Sequence, residues 1–227
     1  INLDSASTYT GNVTFTTDSG SAVTIVDTTA LDLKALTAAS LSAEAGGAIT
    51  DSGTLAIAGA TTLNAGANNI TLDESASTFG ALAITGANVA ITENAAMDLA
   101  ASTISGTAGF TATNQAITDS GTLAITGATT LNSGSADITL DQASSTFGAL
   151  AITGANVAIT ENASTDLGAS TVGGTFAIIS ADAITNSGAL AITGASTFTN
   201  TAGTDAAITL NNAGNNFGGT VTFATDS

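Results

Sequence analysis

Apolar and polar residues alternate in short runs along the whole chain. Leu82 and Ile84 enclose Ala83, Leu123 and Ile125 enclose Ala124, and Leu55 and Ile57 enclose Ala56. A period of two puts the leucines and isoleucines on one face and the small residues on the other, which predicts strands. The runs open on Gly: GTLAIAG at 53, GALAITG at 80, GTAGFTA at 106, GTLAITG at 121, GALAITG at 148, GGTFAII at 173 and GALAITG at 188. Gly, Asn and Asp turns separate them, and no stretch between them has a helical period. The pattern predicts an all-β chain of short strands.

These runs belong to a longer repeat. Residues 77–95, STFGALAITGANVAITENA, recur letter for letter at 145–163, an offset of 68. DSGTLAI at 51 recurs at 119 and, as NSGALAI, at 186. The chain divides into long repeats 51–118 and 119–185, with partial copies at 1–50 and 186–227, in a single continuous unit spanning 1–227. The two ends share a pattern, since INLDSASTYTGNVTFTTDS at 1–19 resembles ITLNNAGNNFGGTVTFATDS at 208–227.

Three Gly-led units per 68 residues average about 23 residues per coil, which suits a solenoid of about ten stacked coils. Stacking is a burial requirement, because one thin coil cannot hide its Leu, Ile, Val and Phe, whereas a like coil laid on top pairs the backbone and continues the core. Winding in one direction makes the pairing parallel. If each long repeat spans three coils, Tyr9, Phe79, Phe147 and Phe217 recur at one corner. Asp73 and Asp141 then stand roughly 14 Å apart at about 4.8 Å per coil, beyond the Debye length of about 8 Å. Asn94 and Asn162 are expected to hydrogen-bond along the stack.

Composition narrows the function. The chain carries 18 Asp and Glu against a single Lys or Arg, no His, no Cys and no Pro, for a formal net charge of −17. No basic patch is available to neutralise a phosphate backbone, which excludes nucleic acid as a partner. The usual general bases and thiolate ligands are missing. No run approaches the roughly 18 apolar residues of a membrane helix, and INLDSAST at the start has no signal-peptide character, so no membrane insertion is expected.

Strings such as AITDSGTLAITGATTLN and ADITLDQASSTFGALAITGANVAIT resemble the repeats of large exported bacterial exoproteins of the filamentous haemagglutinin and β-strand-repeat adhesin type. The likeness covers essentially the whole chain. It implies a right-handed parallel β-helix, secreted or displayed at the cell surface as part of the shaft of a longer molecule.

Catalysis has little to work with. Parallel β-helices that cleave polysaccharides need clustered carboxylates with basic partners, and this chain offers carboxylates alone. Asp73 and Glu74, the ITEN glutamates Glu93 and Glu161, and Asp98 and Asp166 read as solvated turn charges. No catalytic, cofactor or metal residue is assigned. Calcium between acidic turns is a weak alternative, without an EF-hand loop or glycine-rich nonapeptide to support it. Lys34, where sister repeats have Ala100 and Gly168, reads as an incidental surface residue. Rows of Thr for ice binding are broken by Ala56, Ala58 and Ala83. The sequons at Asn12, Asn69 and Asn162 are expected by chance in a chain with 43 Thr.

Two functions remain. One is a structural segment of an extracellular fibre or adhesin shaft, associating end to end or continuing into further repeats. The other is a binding module that meets a glycan, a cation or a cell surface along one flank.

Overall fold

In the computed structural model, which describes residues 1–11, 13–202 and 206–225, the alternation becomes strands throughout, with no helix among the described residues. The strands join in a 14-stranded sheet, a 13-stranded sheet and a two-stranded patch formed by Leu36–Ala38 and Leu55–Ile57. Every pairing is parallel, as between Val89–Glu93 and Ala108–Ala112. The chain is a parallel β-solenoid of about ten turns. Its coils are shorter than the Gly-led units suggest: Leu41 pairs with Thr61, Thr61 with Leu82, Ile138 with Val157 and Val157 with Phe176, steps of 20, 21, 19 and 19 residues.

Successive strands alternate between the two large sheets, one per half-turn. From Thr61–Asn64 the chain passes through Ile70–Leu72, Ala81–Gly86, Val89–Glu93, the pair Met97–Leu99 and Ser102–Ile104, Ala108–Ala112, and the pair Ile117–Asp119 and Leu123–Ile125, before Thr129–Asn132 repeats the same letters. Those are seven half-turns. A long repeat is therefore three coils and a half, and identical sequence lands on opposite sheets. Ala81–Gly86 lies in the 14-stranded sheet and its copy Leu150–Gly154 in the 13-stranded one, while Val89–Glu93 and Val157–Glu161 are exchanged the other way.

The half coil corrects the expected aromatic column. Thr78, beside Phe79, bridges Ala56 above the two-stranded patch, whereas Thr146, beside Phe147, bridges Ala124, which continues the column of Thr103 and Thr85. Phe79 and Phe147 are both buried but in different columns. Asp73 and Asp141 likewise follow strands of opposite sheets, so their charges do not stack at all.

One core runs the length of the solenoid. An inward column of Ile49, Ile70, Val89, Ala108, Thr129 and Leu150, all buried, combines large side chains with two small ones in a narrow interior. Near the last coils Phe198 has ring centroids 5.8 Å from Phe176, 6.1 Å from Phe217 and 5.8 Å from Phe223. Glycines line corners where coils touch: a Cβ on Gly127 would lie 2.5 Å from Gly106 O, and one on Gly148 would lie 2.2 Å from Gly127 O. Backbone occupies the space a side chain would need.

Candidate functional site

The polar groups that the fold draws inward are the most distinctive feature of the interior. In Val89–Glu93 the inward phase runs Val89, Ile91, Glu93, and Glu93 is 0 % exposed. Its Oε2 accepts the backbone N–H of Phe79 at 2.9 Å, and its Oε1 is buried without a partner. The copy is built alike: Glu161 is 2 % exposed and accepts the Phe147 N–H at 2.8 Å through Oε1. Its second oxygen accepts a hydrogen bond from Thr165 Oγ1 at 2.8 Å. Burial pushes both carboxyls up to about 7, against the lowering effect of the Phe79 and Phe147 amides and, for Glu161, of Thr165. Asp27 is a third member, 2 % exposed, receiving Thr29 N–H at 2.9 Å, Thr29 Oγ1 at 2.7 Å and the Tyr9 N–H at 3.5 Å.

This overturns the reading of Glu93 and Glu161 as solvated turn charges. The turn begins only at Asn94 and Asn162, and the glutamates are the last inward positions of their strands. Hydroxyls and amides do similar work elsewhere in the core. Ser77 Oγ accepts Leu55 N–H at 3.0 Å, Ser145 Oγ accepts Leu123 N–H at 3.0 Å, and Asn215 Oδ1 accepts Leu190 N–H at 3.0 Å. Ser102 and Ser170 receive the N–H groups of Ile84 and Ile152 and donate to Ala100 O and Gly168 O. Each side chain satisfies a backbone donor where a strand bends out of its ladder.

Asparagine does bond along the stack, at other positions than Asn94 and Asn162. Asn69 Oδ1 accepts the backbone and side-chain N–H of Asn88, whose Oδ1 accepts the backbone N–H and hydroxyl of Thr107. Asp137, Asn156 and Thr175 form the same ladder one long repeat later. Asn12 lies outside the described residues.

Four further acids accept hydrogen bonds from the next coil. Asp51 Oδ1 accepts the Asp73 N–H at 3.0 Å and Asp119 Oδ1 accepts the Asp141 N–H at 2.9 Å; burial raises both carboxyls despite those amides. Asp98 accepts Ser120 Oγ–H and Asp166 accepts the Ser187 N–H. Lys34 is less incidental than its sequence position suggests: its Nζ lies 2.6 Å from Asp32 Oδ2 and 2.5 Å from Ser52 Oγ. No group of three or more His, Cys, Asp or Glu converges as a metal site among the described residues. Among them, too, no helix is long and apolar enough to cross a membrane.

Since no three acids converge among the described residues, millimolar calcium is expected to raise the melting temperature no more than sodium at equal ionic strength. Melting followed by circular dichroism checks this. A clear excess with calcium would reveal a site.

Fold and repeat together define a repeat protein of the β-solenoid class. The chain belongs to the family described as repeats of unknown function (DUF5649), whose model matches three times, at residues 20–85, 86–153 and 154–224. The middle match has the 68-residue period, cut at a different point of the repeat from 51–118. No curated protein matches the chain, and no solved structure does.

Proposed function

We propose that the chain is a structural segment of an extracellular bacterial fibre or adhesin shaft, without catalysis and without a cofactor. The observation that carries this reading is a pair of inward ladders running along the stack, one in the 13-stranded sheet that includes Leu31, Ile49, Ile70 and Val89, the other in the 14-stranded sheet that includes Leu140, Ile159, Ile178 and Phe198, in a solenoid whose outward strand positions are mainly Ala, Thr and Ser. A stack of this kind resists bending because each coil is hydrogen-bonded to its neighbours over two sheets. Apart from the buried Asp27, Glu93 and Glu161, the described acidic residues reach the surface on strands and turns alike, where they keep the rod soluble at a net charge of −17.

Further turns of the same pattern, in the same polypeptide or in a second copy, extend the shaft. Phe223 continues the column of Ile178 and Phe198 and remains 57 % exposed, so that column can accept another coil. The axial relation is not a simple translation. Val13 bridges Leu33 in the 13-stranded sheet, while Val221, 208 residues on and its match in the pattern, lies in the 14-stranded sheet. Three long repeats amount to ten and a half coils, so the next copy is rotated by half a turn and raised about 50 Å at 4.8 Å per coil.

Electron microscopy of the purified chain tests the shaft reading. The expected result is straight, unbranched rods whose lengths rise in steps of about 50 Å, with antibody labelling of intact, unpermeabilised cells of the source organism. Isolated particles of one unit length, or labelling only after permeabilisation, would count against it. Binding of a glycan or cation along one flank, with no rods, would favour the binding-module alternative.

A further inference from the structure

We propose that Glu93 and Glu161 are proton-operated latches: in the protonated state each holds its aromatic corner, residues 73–79 or 141–147, against the strand that follows, and ionisation loosens that corner. Each carboxyl joins two parts of the chain 14 residues apart, the corner at Phe79 or Phe147 and the end of Val89–Glu93 or Val157–Glu161. Each is sealed from solvent by the next coil, where Glu93 pairs with Ala112 and Glu161 with Ser180.

No cation is placed to compensate a charge on either group. The ionisable residues on the elements next to Glu93 in the chain are all acids, Asp73 and Glu74 in the corner loop and Asp98 on Met97–Leu99, while Thr71 on the coil below and Thr111 and Thr113 on the coil above are neutral. Around Glu161 they are Asp141 in the preceding loop, Asp166 on Thr165–Leu167 and Asp182 after Phe176–Ser180. The one Lys is paired with Asp32 on Leu31–Leu33, three ladder steps from Val89–Glu93. A buried carboxylate with no cation to compensate it is unfavourable, and gaining a proton relieves it.

The two latches differ in one contact. ITENAAMDL at 91 becomes ITENASTDL at 159, so Met97 stands where the second copy has Thr165. The Thr165 hydroxyl can donate to an ionised Glu161 or accept from a protonated one. Glu93 has no such partner, and its Oε1 is left alone. Glu161 therefore tolerates charge better and gives up its proton at the lower pH, whereas Glu93, with no such donor, loses more hold once ionised, so the larger loosening at alkaline pH falls on the Glu93 corner.

The sign follows from proton binding. Both carboxyls are held up to about 7 in the folded chain, above the ordinary value of 4.5, so the folded state binds more protons between those limits. Stability from the latches is full at the acidic end of that window and is lost as pH rises through about 7. With no His in the chain, few other side chains titrate across this window, Asp51 and Asp119 being those that burial raises as well.

Carbon-13 NMR titration of the Glu carboxyls tests the idea directly. The expected result is a midpoint near 7 for both Glu93 and Glu161, that of Glu161 the lower of the two, with protection of the Phe79 amide falling about tenfold or more between pH 5.5 and 8.5. Met97→Thr should lower the Glu93 midpoint and Thr165→Met should raise that of Glu161. Glu93→Gln and Glu161→Gln, neutral at every pH, should flatten the dependence of melting temperature on pH. Ordinary midpoints near 4.5 for both glutamates in the unmodified chain, or pH-independent protection at Phe79, would overturn the proposal, whatever the variants do.

Discussion

Gly127→Ala is expected to destabilise the solenoid by about 3 kcal/mol, the scale of severe overpacking against backbone that cannot swing aside. The added methyl would sit 2.5 Å from Gly106 O and 2.6 Å from Gly106 C, in a corner where Gly148 already lies against Gly127 O from the next coil. Moving the corner apart would break the bonds from Gly127 N–H to Gly106 O and from Thr126 N–H to Ile104 O, and would displace the coils on either side. The same change at Gly11, where an added methyl would meet nothing within 4 Å, is expected to be nearly neutral. Thermal or urea unfolding of the two variants beside the parent checks the contrast. Equal effects at the two sites would mean that the corner has slack the close approach does not show.

Phe198→Ala is expected to cost about 3–5 kcal/mol, the range for emptying a large buried site. The side chain is 0 % exposed and meets Phe176 and Phe217 edge to face and Phe223 in a stack, so its removal strips three aromatic contacts at once. Phe223→Ala, on a ring 57 % exposed, is expected to cost well under half as much. Hydrogen exchange should place the Phe198→Ala loss in the strands around Phe176–Ser180 and Ser196–Asn200, because each coil touches chiefly its neighbours. A loss spread evenly to Ala22–Asp27 would instead indicate cooperativity along the whole rod.

The buried glutamates show how a sequence can carry a signal that composition hides. In VAITEN the period of two runs through Val89, Ile91 and Glu93, which already marks the carboxyl as inward. General preference places an acid beside Asn in a turn, and that expectation prevailed over the period. Ser77, Ser145 and Asn215 give no such signal, since a polar side chain two residues before Phe reads as turn chemistry until the strand at Leu55, Leu123 or Leu190 comes into contact with it. Their partners are 22 to 25 residues away, and only the winding of the coil brings them together.

By itself the sequence determined the class of structure: strands from the alternation, coils from the 68-residue repeat, and parallel stacking from the need of each thin coil to bury its Leu, Ile and Phe against the next. These are local or periodic properties, and every copy votes for the same answer. The phase between sequence period and coil period was decided only by the tertiary structure. Coil length is set by how many residues each corner absorbs, and pairing steps range from 17 between Ala81 and Asp98 to 25 between Ser196 and Val221. Summed over a long repeat, those corners leave an extra half-turn, which sends identical strands to opposite sheets and separates Phe79 from Phe147. That half-turn belongs to no residue, and it exists only once the coils are stacked.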